Sequence, residues 1–228
     1  MTKVIKAPDP NRKKRYTMLA ILIVAIVIFS VLLWFLSEDE RIVNFPYFVE
    51  GDRVEVTTLF QYSGANPDCG DEMGEDIAAL SVTNRSGKHL TYLELVLKLE
   101  TGEKLIFETT DVPANGTVWM FSTDNMSCAS DVVVRSISST ARLEKEDTML
   151  SDKVQTQVEG TAVTLTNVSG EDLTDLTVRC HTLFEEAYFG GLAYSYPVDR
   201  LPAGESVTLE AEDCYLGEAA VVRITESR

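Results

Sequence analysis

Hydrophobic residues follow two regimes along this chain. From Thr17 to Leu36 they form one run, TMLAILIVAIVIFSVLLWFL, twenty residues without a charge. A helix of that length rises about 30 Å, the thickness of a bilayer's hydrocarbon core. Beyond Gly51 the run gives way to alternation. Ala78, Leu80 and Val82 alternate with Ala79, Ser81 and Thr83, and Leu93, Leu95, Leu97 and Leu99 with Glu94, Val96 and Lys98. A period of two marks a strand with one buried face. The pattern predicts further strands over 53–62, 104–109, 117–122 and 132–138. A second series is expected over 154–158, 163–166, 173–183, 192–196, 207–211 and 219–225. Gly- and Pro-containing turns separate them, as in an antiparallel β-sandwich. No helical periodicity competes outside the apolar run.

The two series are copies. Thr83-Asn84-Arg85-Ser86-Gly87 followed by Leu90, Thr91 and Leu93 matches Thr166-Asn167-Val168-Ser169-Gly170 followed by Leu173, Thr174 and Leu176. Val112-Pro113-Ala114-Asn115-Gly116 answers Leu201-Pro202-Ala203-Gly204-Glu205, and Val134-Arg135 answers Val222-Arg223. Units of this size are each large enough to be a small domain. The expected organisation is a tail over 1–16, a transmembrane helix over 17–36, a linker over 37–51, a first unit over 52–140 and a second over 141–228. The fold class is an all-β region of two tandem antiparallel sandwiches after one transmembrane helix.

Charge orients this plan. The chain has 20 basic and 36 acidic residues. The tail holds Lys3, Lys6, Arg12, Lys13, Lys14 and Arg15 against Asp9 alone, and the apolar run ends at Ser37-Glu38-Asp39-Glu40. Basic residues stay on the cytoplasmic side, so the N-terminus is expected inside and the acidic region outside the cell membrane. The run exceeds a usual signal-peptide core, and bulky Phe35 opposes cleavage after Ser37; an uncleaved anchor is expected. Without the first 36 residues, 14 basic and 35 acidic residues remain, a net charge of −21. Nucleic acid is repelled by such a surface and is no expected partner.

Cys69, Cys128, Cys180 and Cys214 all follow the apolar run. An even count on the translocated side suggests disulfides, with three pairings open. Cys69–Cys128 with Cys180–Cys214 keeps each bridge inside one copy and is the expected set; free core thiols are the alternative. Cys180 takes the place of Leu97 in an apolar row and is expected to point inward. A zinc site lacks any C-x-x-C pair.

Other chemistry is sparse. Asp68, Asp71, Glu72, Glu75 and Asp76 crowd one loop, where a solvated acidic surface is expected ahead of a calcium site, since the spacing is not that of an EF-hand. Tyr188, Phe189, Tyr194 and Tyr196 flank Gly190-Gly191 in an aromatic segment, read either as an external contact surface or as rings packed on the sandwich around a glycine turn. His89 and His181 are not paired by sequence with a nucleophile, so no catalytic triad is expected. No cofactor is implied. Four sequons occur at Asn84, Asn115, Asn125 and Asn167, two of them being the repeated turn itself.

The T-N-x-S-G turn, the Leu95, Leu97, Leu99, Glu100, Thr101, Gly102 strand end and Leu201-Pro202-Ala203-Gly204-Glu205-Ser206 resemble the small immunoglobulin-like modules of bacterial surface proteins, the FxLYD-type module among them. The resemblance covers about 76–138 and 160–226 and implies a setting at a bacterial cell surface. The expected function is a non-enzymatic, single-pass surface protein that binds a protein partner or serves a structural role. The alternative is an accessory subunit of a larger transport or secretion complex.

Overall fold

The computed structural model describes residues 22–31, 42–70, 72–144 and 149–226. Residues 22–31 form a helix, α1. Among the described residues no helix is long and apolar enough to cross a membrane; the tail and both ends of the Thr17–Leu36 run lie outside them. Ile42–Arg228 forms a compact unit by itself.

That unit is built of strands. The first copy holds β1 (Tyr47–Val49), β2 (Val54–Asn66), β3 (Glu72–Asn84), β4 (His89–Leu99), β5 (Lys104–Val112), β6 (Thr117–Phe121) and β7 (Val134–Glu144). The second holds β8 (Val154–Glu159), β9 (Ala162–Asn167), β10 (Leu173–Phe184), β11 (Ala187–Leu201), β12 (Ser206–Glu210) and β13 (Glu218–Glu226). Pairing repeats between copies. In the first, β2, β3 and β6 are adjacent and β4 lies between β5 and β7; in the second, β8, β9 and β12 are adjacent and β10 lies between β11 and β13. Each set of two sheets closes on its own core. Val56, Leu80, Val82 and Met120 of one sheet meet Leu93, Leu95, Leu97 and Phe107 of the other. Val163, Leu165, Leu176, Val178 and Cys180 do the same in the second copy. Cys180 is fully buried in its apolar row, as its alignment with Leu97 requires.

The repeated T-N-x-S-G sequence is a hydrogen-bonded staple. The Asn84 amide nitrogen donates to the carbonyls of Lys88, Val112 and Pro113, and its oxygen accepts from the Ser86 amide and hydroxyl. Asn167 donates to Glu171 and Leu201 and accepts from the amide and hydroxyl of Ser169. Both asparagines also bond through their backbones to the V-P-A or L-P-A loop, Asn84 N–H to Gly116 and Asn167 N–H to Glu205. One buried side chain thereby ties the turn after β3 to the loop before β6, and in the second copy the turn after β9 to the loop before β12. With 0% and 1% of their surface exposed, Asn84 and Asn167 offer no glycan acceptor in the folded state.

Three boundaries differ from expectation. The linker is not free to residue 51: Val43 N–H donates to Val134, β1 pairs with β2, and Val43, Phe45 and Tyr47 pack on the first core. Val43, Phe45, Tyr47 and Val49 are themselves an alternating series, interrupted to the eye by Pro46. β7 runs on to Glu144. Gly190-Gly191 makes no turn; it lies inside the fifteen-residue β11, and the turn falls at Glu185-Glu186.

Replacing Asn84 or Asn167 by alanine leaves buried carbonyls and a serine unpaired, at about 1–3 kcal/mol for such groups. Each variant is expected to lose roughly 2–3 kcal/mol, read as a lower urea midpoint at unchanged slope.

Candidate interface between the two sandwiches

The two sandwiches are joined edge to edge. β6 pairs in parallel with β11, Val118 opposite Tyr188 and Trp119 opposite Phe189, so that β1-β2-β3-β6-β11-β10-β13 becomes one seven-stranded sheet. All the other strand pairings are antiparallel.

A hairpin reinforces the seam. β2 and β3 run thirteen residues each, where their counterparts β8 and β9 run six. The added length ends in a 3₁₀ turn, Pro67–Cys69, capped by the Asn66 side chain on Asp68 N–H. From this turn the Asp68 carboxylate accepts the backbone N–H groups of Gly191 and Leu192, at 2.6 and 3.0 Å, and the Pro67 carbonyl accepts the Tyr194 hydroxyl. Burial pushes the Asp68 carboxyl up, and the two amides pull it back. The glycine pair is explained by this approach. A Cβ on Gly190, whose φ is +91°, would lie 2.8 Å from Pro67 Cγ, and one on Gly191 would drive into the Glu108 carbonyl oxygen.

The polar centre of the seam is Asp111, at the end of β5. It is fully buried and holds a left-handed φ of 53°. Its Oδ2 accepts Arg179 Nη1 at 2.5 Å; its Oδ1 accepts Arg223 Nη1 at 3.1 Å and meets His89 Nε2 at 3.2 Å. Both arginines belong to the second copy, on paired strands β10 and β13 where they stand opposite each other. Arg223 also reaches Glu144 at 2.9 Å. Burial raises the Asp111 carboxyl, but the bonds from His89, Arg179 and Arg223 prevail and hold it near 2. His181 sits beside this group. Its Nε2 donates to the Thr110 carbonyl at 2.7 Å, and its Nδ1 finds no partner among the described residues. Desolvation drops its pKa to about 4, so the ring is neutral at physiological pH.

The expected site residues fall as follows. Tyr188 and Phe189 form the seam; Phe189 is buried and Tyr188 stacks tilted on His181 at 5.1 Å. Tyr194 is bonded to Pro67, and the Tyr196 hydroxyl donates to Asp213 at 2.8 Å. This corrects the external-surface reading for Tyr188 and Phe189: their contact surface meets the other half of the same chain. In the acidic loop, Asp68 is committed to β11, while Asp71 and the Glu72 side chain lie outside the described residues. Among those described, no three His, Cys, Asp or Glu side chains converge as a metal-ion site.

No disulfide joins the four cysteines. The expected pairs therefore stand as thiols. Cys69 donates weakly to the Thr123 carbonyl and lines a cavity of about 160 Å³ with Asp68, Glu108, Phe121 and Leu192; Cys128 lines a different one of about 370 Å³ with Phe45, Leu59 and Phe60. Cys180 and Cys214 share the second core, and burial together with the neighbouring Cys214 pushes Cys180 up to about 12.

Sequence reasoning missed Asp111, Arg179 and Arg223. A signal existed in the duplication. At the places of His89 and Asp111 the second copy has Asp172 and Arg200, which also pair, at 2.6 Å. The same pair occurs twice with the acidic residue on the other strand. The second is exposed; the first is covered by the other sandwich. No protein-family profile matches the chain, and a search of curated proteins finds no similar sequence.

Two outcomes follow from the seam. Gly191→Ala is expected to lower stability by about 2–4 kcal/mol through overpacking against fixed backbone, whereas Gly170→Ala, with open space around its Cβ, leaves the urea midpoint within about 0.5 kcal/mol. The second concerns pH. His181 has a folded pKa of about 4 against an ordinary 6.5, so its neutral-state contribution is present above pH 6.5 and is lost as pH falls towards 4. Asp111, near 2 against 3.8, adds a loss below pH 3.8. Urea unfolding from pH 7.5 to 4.5 is expected to show stability falling by about 3 kcal/mol from His181, and His181→Gln to flatten that slope.

Proposed function

We propose that this chain is a single-pass membrane protein whose acidic C-terminal region lies outside the cell and displays two fused immunoglobulin-like sandwiches as a non-enzymatic binding or structural body in a bacterial envelope. The observation that supports this reading best is the joined sheet. A chain anchored once by a charge-free twenty-residue run presents, a few residues later, a body whose two halves share strand pairing, a buried ion cluster and an interlocked hairpin. Such a body holds its surfaces in fixed register, which suits contact with a partner. Both histidines support a non-catalytic role, since His89 is engaged with Asp111 and His181 with Thr110, both inside the seam.

On the outer side of a membrane the cysteines meet oxidants. Cys180 and Cys214, buried in one core, are the pair proposed to close there. Two thiols would pass two electrons to a disulfide oxidant of the compartment and release two protons. Their raised pKa values, about 12 and about 11, make the reaction slow in the folded protein, because the thiolate is the reacting species. Closure is therefore expected during folding.

Protease added to intact cells is expected to remove the region after Leu36 while an N-terminal tag stays protected, with the protein in the carbonate-resistant membrane fraction. A fully protected or carbonate-extracted protein overturns the topology. Peptide mapping of unreduced protein from the same cells is expected to yield Cys180 joined to Cys214.

A further inference from the structure

The joined sheet has a second face over β2, β3, β6 and β11, turned away from the first core and lying on the side of the sheet that carries the second core. Along β6, Val118 and Met120 enter the first core, which sends Trp119 and Phe121 to the opposite side. Phe60 and Tyr62 of β2 and Phe189 of β11 reach the same side, and Phe184 at the end of β10 completes the group. The rings touch in a chain: Phe60 on Trp119 at 5.7 Å, Trp119 on Phe184 at 6.2 Å, Tyr62 on Phe121 at 4.7 Å, Phe121 on Phe189 at 5.1 Å. Phe121 and Phe189 are buried as its floor. Phe60, Tyr62 and Trp119 are half-exposed, and Phe184 shows 43% of its surface. Because β6 and β11 come from different copies, this face exists only when the seam is made.

The charge around it has one sign. The segments that build it, 58–62, 77–81, 117–121 and 182–189, carry Glu185 and Glu186 and no Lys or Arg. Both glutamates are exposed and directly follow Phe184 in the chain. Glu218 belongs to the opposite side of the sheet, since it pairs with Leu183, which pairs with Tyr188 beside Val118. Aromatic faces attract cations through their quadrupole, and a planar guanidinium both stacks on a ring and bonds a carboxylate. Elsewhere the region's net charge of −21 draws in any cationic partner.

We propose that this aromatic face, with Glu185 and Glu186 beside it, docks an arginine-bearing polypeptide segment of a partner protein. The inference deepens the binding role proposed above by naming the kind of partner.

Trp34 and Trp119 are the two tryptophans of the chain. In the full-length Trp34→Phe protein held in nanodiscs of zwitterionic lipid, Trp119 reports on its own face. An octapeptide alternating arginine and glycine is expected to give a saturable change in Trp119 emission. That change should weaken at 0.5 M salt and weaken about tenfold or more in the Glu185→Lys/Glu186→Lys variant. Phe184→Ala is expected to weaken it with salt dependence retained. The exposed Glu185→Gln/Glu186→Gln protein, checked for an unchanged melting temperature, gives the same comparison without introduced charge. No saturable change up to millimolar peptide overturns the proposal. So does binding that both glutamate variants leave intact, or an equal response to a glutamate–glycine octapeptide or a neutral oligosaccharide. The protease experiment above is independent: an exposed region with a silent Trp119 overturns the face alone, and a responsive Trp119 in a mislocated protein overturns the topology alone.

Discussion

A carboxylate removed from water is unstable unless its charge is met, and Asp111 is met by three groups on two different copies. Its solvation in the folded state is supplied by Arg179 and Arg223 of the second sandwich and His89 of the first. Neither sandwich alone completes it. Removing one partner of such a buried group is costly, while the intact group adds little net stability. What Asp111 contributes is therefore selection among arrangements: packings of the two sandwiches that leave it unmatched are penalised, and the observed one is not. The parallel pairing of β6 with β11 and the grip of Asp68 on Gly191 and Leu192 are compatible with that one arrangement.

The duplication shows how little change is needed to turn a surface pair into such a centre. In both copies the residue before the first conserved leucine, Leu90 or Leu173, bonds the residue before the Val/Leu-Pro-Ala loop on the neighbouring strand. Asp172 and Arg200 occupy these places in the open, where an ion pair contributes little. His89 and Asp111 occupy them under the other sandwich. The asparagine staple, by contrast, is unchanged between copies, because its hydrogen bonds stay within one sandwich and do not depend on what packs outside.

This contrast also explains what could be read from residues alone. Strand positions follow from alternation, a local property, and Cys180 in the place of Leu97 is buried as the register demands. The glycine pair and the aromatic residues were visible as unusual, yet their cause was not. Gly190 and Gly191 are small because Pro67 and the Glu108 carbonyl arrive there from more than eighty residues away in sequence. Tyr188 and Phe189 look like an external surface until β6 lies beside them. Val43 to Val49 were hidden by their shortness and by Pro46. Contacts between copies have no periodicity, so nothing in the chain's pattern encodes them.

The seam joins unlike elements: the sixth strand of the first copy meets the strand of the second whose own counterpart is β5. A junction of that kind has a head and a tail, and repeated on further molecules it generates an open filament and not a closed pair. The tail is still present, for β12, the counterpart of β6, stands at the margin of its sheet. Propagation is checked by its form. β12 is five residues long, alternates Ser206, Thr208 and Glu210 on its exposed side, and lacks the elongated hairpin that secures the first junction. Short, polar margins resist strand addition. The margin of β12 is thus a poorer edge for repeating the junction than the one β6 offers to β11.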